Sequence, residues 1–223
     1  MRDRTIRMDS RTCRHLANLA KGKWVEPILL FPKRFDIFVD IGAYCGSISI
    51  LAKILNPDAE VLSIEPNLDV FNILQKNVSE MGIATHRLAL NNGLRGTMSS
   101  KSISVRNTFV AGKKDDCNTC NSMTLADIVL KLTSFKNGKR LYIQMNCEGG
   151  ESSVFEHEPS IEILSLVDVL VIECHGNDNI KSFLKLVEKR FCMSHVMTKL
   201  RTKNKRHANF SLISKKLASP PEK

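Results

Sequence analysis

Phe38-Val-Asp-Ile-Gly-Ala-Tyr-Cys-Gly46, followed at Ile64-Glu-Pro-Asn67 by a second acid, is the stretch on which the fold turns. It reads as strand, glycine turn, helix, then a strand ending in a carboxylate, the layout of a nucleoside-cofactor site in an open parallel sheet. Gly42 allows a sharp turn and close backbone approach to a ligand. Gly46 lets the next helix start close to the strand. Glu65 falls about one βαβ unit downstream, where a carboxylate can accept hydrogen bonds from both ribose hydroxyls.

The acid at the end of the first strand narrows the ligand. The charge of Asp40 would repel a pyrophosphate. It suits a ligand carrying a cationic amine and a sulfonium, such as S-adenosylmethionine. The expected cofactor contacts are Asp40, the turn residues Gly42, Ala43, Tyr44, Gly46 and Ser47, and Glu65 with Pro66 and Asn67. Leu88 and Ala89 would flank the adenine after a third strand, and Asn146 could hydrogen-bond the cofactor amine or an acceptor hydroxyl.

Outward from this motif the apolar pattern alternates. Residues 37–41 form a strand buried on both faces, as parallel strands are. Residues 47–55 form a helix stopped by Asn56-Pro57. A strand at 61–65 precedes a helix over 68–81 ended by Gly82, and 86–90 form the third strand. Residues 91–121 are looser and read as irregular strands or a hairpin outside the main sheet. A helix at 125–132, a strand at 141–147, a helix opening at 151–155, a buried strand at 167–174 and an amphipathic helix at 181–191 follow. Two strand-like runs, 192–200 and 209–213, are joined by a short basic link and make an antiparallel hairpin. The expected fold is α/β: a Rossmann-like methyltransferase with a mostly parallel seven-stranded sheet, a C-terminal antiparallel hairpin and helices on both faces. Residues 1–35 read as a helical or irregular appendage, 36–217 as the domain, and 218–223 as a disordered tail.

At 223 residues, 43% hydrophobic and 25% charged, the composition is that of a globular domain with a real core. No apolar run approaches the roughly 20 residues a bilayer span requires. The charged start Met1-Arg-Asp-Arg-Thr-Ile-Arg7 lacks a signal-peptide core, so a cytoplasmic location is expected. The net charge of +10 is concentrated at residues 2–14 and in Lys199-Leu-Arg-Thr-Lys-Asn-Lys-Arg206. Solubility accounts for it, as does attraction to nucleic acid. Aromatic residues are only 6% and none interleaves the second cluster, which weighs against stacking readout of single strands. Of the seven cysteines, Cys45, Cys147, Cys174 and Cys192 lie in apolar settings and read as small buried hydrophobes. Cys117-Asn-Thr-Cys120 sits in a polar loop without the second pair that zinc requires, and no metal is expected.

These pieces resemble the FkbM family of S-adenosylmethionine-dependent methyltransferases. The likeness spans about residues 38–174. It rests on the first two motifs, on Met123-Thr-Leu-Ala-Asp127, on Tyr142-Ile-Gln-Met-Asn-Cys-Glu-Gly-Gly-Glu151, and on Val171-Ile-Glu-Cys-His175 as the closing strand. The family typically O-methylates hydroxyls of sugars, polyketides and related small molecules, which implies a small-molecule or glycan acceptor. Where the family carries Lys-Ile-Asp before the Glu-Gly pair, this chain has Gln144-Met-Asn146. The change removes two charges from the end of the strand that faces the transferring methyl.

Methyl transfer needs a nucleophile held in line, and a hydroxyl acceptor benefits from a base. Glu148, Glu173 and His175 stand at the carboxyl ends of the fourth and fifth strands and are the expected catalytic residues. His175 suits base work at neutral pH or is a hydrogen-bonded strand-end histidine. Glu148 reads equally as a base or as a cap of the next helix, and Glu151 as a first-turn helix charge. Three other readings compete: an RNA methyltransferase using the basic surface, a catalytically degenerate S-adenosylmethionine-binding protein, and, last, an NAD enzyme, which would need a full Gly-x-Gly-x-x-Gly turn.

Overall fold

A computed structural model of the chain describes residues 35–93, 97–100, 109–111, 120–136, 138–148, 150–191, 195–204 and 207–215. Residues 1–34 of the expected appendage, Cys117, Cys192 and the tail lie outside them.

The main sheet has seven strands: β1 (Ile37–Ile41), β2 (Glu60–Ile64), β3 (Ala84–His86), β8 (Leu141–Met145), β9 (Val169–His175), β10 (His195–Asn204) and β11 (His207–Ser214), in the order β10-β11-β9-β8-β1-β2-β3. The five strands from β9 to β3 run parallel, and β11 and β10 close the sheet antiparallel. This is the expected architecture, with β1 at the centre of the five parallel strands.

Alternation along each strand divides the core in two. Ile37, Val39, Ile41, Ile143, Met145, Leu170 and Ile172 pack on one side with Ile128 and Val129 of α3 (Leu125–Leu132), Ile161 and Leu164 of α5 (Glu158–Leu166) and Phe183 of α6 (Asn177–Leu186). Phe38, Tyr142, Val169 and Val171 pack on the other with Ile48 and Ala52 of α1 (Ser47–Leu55) and Leu74 and Val78 of α2 (Leu68–Val78). A short α4 (Ser152–Phe155) precedes α5, and a π-helical turn (Val187–Phe191) follows α6. None of the described helices is long and apolar enough to cross a membrane.

Two elements differ from the sequence reading. The expected third strand, 86–90, is two strands broken at Arg87. β3 pairs with β2, whereas β4 (Leu88–Leu90) leaves the main sheet and pairs with β7 (Cys120–Met123). A second sheet, ordered β4-β7-β5-β6, is completed by β5 (Thr97–Ser100) and β6 (Phe109–Ala111). This confirms extra-sheet strands in the 91–121 region. The terminal hairpin is also longer than its apolar runs, because ladder hydrogen bonds carry β10 through polar residues to Asn204.

Candidate functional site

The turn residues 42–47, Glu65 with Pro66 and Asn67, and Asn146 gather at the carboxyl ends of β1, β2 and β8, whereas Leu88 and Ala89 lie on β4 of the second sheet. Gly42 and Ala43 both donate to Ile64 O at 2.9 Å, which folds the turn over β2. Gly42 has φ +79°, and a Cβ on it would lie 1.9 Å from Asn146 O. Glycine is therefore demanded by the neighbouring strand as well as by the turn. Gly46, at φ +87°, differs from expectation: an added Cβ would meet Leu74 Cδ1 at 2.6 Å, so it admits the start of α1 against α2 rather than against β1. Asn77 of α2 donates to Cys45 O at 2.8 Å and ties the turn down from that side. Ser47 is buried at the first position of α1.

Glu65 is held by the turn it faces. Oε2 accepts from Tyr44 N at 3.0 Å and Oε1 from Asn67 N at 2.9 Å. Burial dominates these bonds and pushes its pKa up to about 7, with the charge of Asp40 adding to the rise. Each oxygen keeps a lone pair for a further donor. Asn67 itself caps α2, its Oδ1 accepting from Asp69 N and Val70 N. Pro66 O accepts from Arg87 Nε at 3.2 Å, so the break between β3 and β4 is anchored to the Glu65 loop. Leu88 and Ala89 are buried in β4 directly after that anchor.

Asp40 is placed differently from a ligand-facing acid. Its carboxylate is buried, Oδ2 accepts from Ser49 Oγ at 2.5 Å, and Ser63 Oγ donates in turn to Ser49 Oγ at 2.7 Å. Burial lifts its pKa to about 6. It ties α1 to β1 and β2 from beneath the turn.

The second half of the site is a carboxylate cluster around a histidine. Asn146 N donates to Ile41 O, and its Nδ2 donates to Glu173 Oε2 at 3.1 Å. Asn146 Oδ1 is buried without a hydrogen-bond partner among the described residues. His175 Nδ1 lies 3.0 Å from Glu151 Oε1, while Nε2 lies 3.5 Å from Glu148 Oε2 and 3.8 Å from Glu173 Oε1. Burial, the largest single influence on His175, favours the neutral ring. The Glu151 hydrogen bond and the charges of Glu151, Glu148 and Glu173 together outweigh it, so its pKa stands above the ordinary value. Glu148, like Tyr44, holds a left-handed backbone with φ 52°, strain of the kind that collects at functional turns.

Glu151 is where the sequence reading fell short. It is fully buried rather than a surface helix charge, and it accepts from Cys147 N, His175 Nδ1 and Asn179 Nδ2. Its principal partner lies 24 residues away on another strand, which no local pattern reveals. Cys45, Cys120, Cys147 and Cys174 form no disulfide with one another, and burial pushes the thiol of Cys120 up to about 11. No group of three or more potential ligands among the described residues could hold a metal ion.

The sequence matches no protein-family model and no curated protein. Its likeness is to solved structures. One is a protein from Clostridium thermocellum assigned as an rRNA-methylase, at 8% identity and TM-score 0.56, covering 87% of this chain and 94% of that one. Another is the methyltransferase FkbM from Methylobacillus flagellatus KT, at 15% identity and TM-score 0.54; the match covers 93% of this chain and 56% of that protein. A third, assigned as an O-methyltransferase from Klebsiella pneumoniae, aligns at 11% identity and TM-score 0.52 over 93% of this chain and 90% of that one. The fold is the Rossmann-like methyltransferase fold.

Proposed function

We propose that the chain is an S-adenosylmethionine-dependent methyltransferase that methylates a hydroxyl of a small molecule, sugar or glycan. The observation that carries this reading is the placement of Glu65, cradled by Tyr44 N and Asn67 N, and of Asn146, whose backbone carbonyl packs on Gly42 and whose buried Oδ1 has no partner among the described residues. A carboxylate with spare lone pairs fits a ribose diol, and an unpartnered amide oxygen fits an ammonium donor. The cofactor would supply a methyl carbon on a sulfonium, which leaves as a neutral thioether without an acid. This chain's own task is then to orient the acceptor and hold its proton. In this reading His175, whose Nε2 lies near Glu148 and Glu173, would take it. The resemblance to the FkbM family agrees with this reading, and one solved structure of the same fold carries that name.

The test is calorimetric titration of the purified protein with S-adenosylmethionine and with NAD, beside Glu65→Ala. Micromolar S-adenosylmethionine binding that the substitution abolishes is the expected result. Absence of binding to the wild type overturns the proposal.

A second reading, methylation of RNA, has its own observation. β11 pairs His207 with His175 and Asn209 with Glu173, so the end of the hairpin lies at the same sheet edge as the catalytic cluster. β10 carries Lys199, Arg201 and Lys203 toward that end. This reading requires RNA retention that falls steeply with salt, with a slope near −0.7 per phosphate contact. Salt-independent or negligible retention removes it.

A further inference from the structure

We infer that Asn209 and Ser211 of β11 bind the methyl acceptor, and that this acceptor is an uncharged, polyhydroxylated molecule of the sugar type. The word acceptor rests on the methyltransferase reading, whereas the site stands on geometry. Asn146 Oδ1, Asn209 Oδ1 and Ser211 Oγ are buried without a hydrogen-bond partner among the described residues. Ser211 as a whole is 1% exposed. The sheet register brings all three to one face. β11 pairs Asn209 with Glu173 and Ser211 with Val171, and β8 pairs Gln144 with Val171. Register partners share a face, and so do alternate residues of one strand. Asn146 Nδ2 donates to Glu173 Oε2 at 3.1 Å, which continues the register past the end of β8. Two ranks therefore cross the carboxyl end of the sheet: Asn146, Glu173 and Asn209 in the outer, Gln144, Val171 and Ser211 in the inner. Asn146 and Asn209 are two strand spacings apart, about 10 Å, and Asn209 and Ser211 lie about 7 Å apart along β11.

A buried oxygen without a partner is costly, and a native fold keeps one for a reason. Three of them on one face, in two adjacent ranks, point to a shared ligand. The residue types fit its chemistry. Each amide of Gln144, Asn146 and Asn209 offers an acceptor and two donors in one plane, and the Ser211 hydroxyl does both, which suits a ligand whose hydroxyls also donate and accept. The outer rank holds one acidic position, Glu173, and one basic position, Arg201, the register partner of Asn209 on β10. The inner rank holds no charge. A phosphate or carboxylate on the ligand would meet no net attraction there. Glu173 Oε1 also lies 3.8 Å from His175 Nε2, so the outer rank runs up to the residue proposed to take the acceptor's proton. A site of buried hydrogen-bonding groups rejects a ligand that lacks the matching hydroxyl, so Asn209 and Ser211 would set specificity.

The experiment is NMR of the asparagine side-chain amides, with Asn209→Leu giving the assignment. The titrants are glucose, galactose, mannose and N-acetylglucosamine, their 6-phosphates, and a single-stranded RNA oligonucleotide, each with and without S-adenosylhomocysteine. At least one neutral sugar should shift the Asn209 amide in the wild type, and its 6-phosphate should bind no more tightly. Asn209→Leu and Ser211→Ala should each weaken that sugar about tenfold while their melting temperatures hold or rise, because each removes a buried unpaired group. A fall of about 3 °C or more in both variants marks a structural role and overturns the inference. So does a wild-type Asn209 amide that no sugar shifts, or one that only the 6-phosphates or the RNA shift; none of these needs a variant to fold. S-adenosylmethionine calorimetry on the same samples separates the two readings. Sugar binding without cofactor binding removes the methyltransferase assignment and leaves the sugar site standing. Cofactor binding without sugar binding does the reverse.

Discussion

A Cβ added to Gly42 would lie 1.9 Å from the carbonyl oxygen of Asn146. The glycine turn after β1 and the loop after β8 are thus in backbone contact, and the half of the edge proposed to hold the cofactor shares one seam with the half that holds His175. Gly42→Ala should destabilise the fold by about 3 kcal/mol or more, since it combines a left-handed residue with a clash against main chain that cannot swing aside. Urea unfolding of the two proteins measures this, and a difference below about 1 kcal/mol would contradict the seam.

Asp40 and Glu65 make an unusual pH dependence of stability. Both have folded pKa values raised by burial, to about 6 and about 7. A raised folded pKa gives stability that is fully present below the unfolded value and is lost as pH rises through the folded one. Each group can shift the balance by about 3 kcal/mol at most. His175, raised from 6.5, acts with the same sign at the upper end of the window. The ligand-free protein should therefore unfold at higher urea at pH 5.5 than at pH 8. Asp40→Asn, which keeps an acceptor for Ser49, should flatten the profile.

The same rise at Glu65 predicts how cofactor affinity responds to pH. Ribose hydroxyls donate to the ionised carboxylate, so binding favours that form and pulls its pKa down. S-adenosylmethionine should bind up to about tenfold more tightly at pH 8 than at pH 6, with proton release near pH 7. Calorimetry in buffers of different ionisation enthalpy reads both. In Glu65→Ala the affinity should fall by about thirtyfold or more and lose its pH dependence.

Asn67 tests whether its role is in the helix or at the ligand. Its side chain caps α2, while its backbone N–H is the part that meets Glu65. Asn67→Ala should lower stability by about 1 kcal/mol and change cofactor affinity by no more than about threefold. A large loss of affinity at unchanged stability would assign the side chain to the ligand instead.

Glu148 holds φ 52°, a conformation that costs a non-glycine residue about 1 kcal/mol. Glu148→Gly should leave thermal stability equal or higher while weakening any methyl transfer. A clear drop in melting temperature would mean the carboxylate contributes more to the fold than its backbone strain removes.

Much of this was legible in the chain. β1, β2, α1, α2, β8, β9 and the closing hairpin follow from apolar periodicity and the turn residues between them, as does the place of Glu65 at the end of β2. What escaped has a common cause. The break at Arg87 sits where its guanidinium donates to Pro66 O, twenty-one residues back. Asp40 was read as facing a ligand, because nothing in a strand-end acid tells that Ser49, one helix turn beyond the glycine loop, will take it inward. Glu151 read as a first-turn helix charge because its partners His175 and Asn179 arrive from other elements. Local pattern reports which backbone forms; pairing between distant polar side chains is settled only when the sheet assembles.

The hairpin of β10 and β11 has one more consequence, for how the molecule keeps to itself. β9 is apolar almost throughout and buried, and without β11 beside it its backbone donors and acceptors would form a long, flat, sticky border. The hairpin moves that border outward to β10, a strand with two register irregularities and with Lys199, Arg201 and Lys203 along it. At the opposite border β3 is only three residues long. Both rims of the sheet are thereby poor templates for a second chain, and a chain lacking the hairpin should be prone to edge-to-edge aggregation even if its cofactor half still folds.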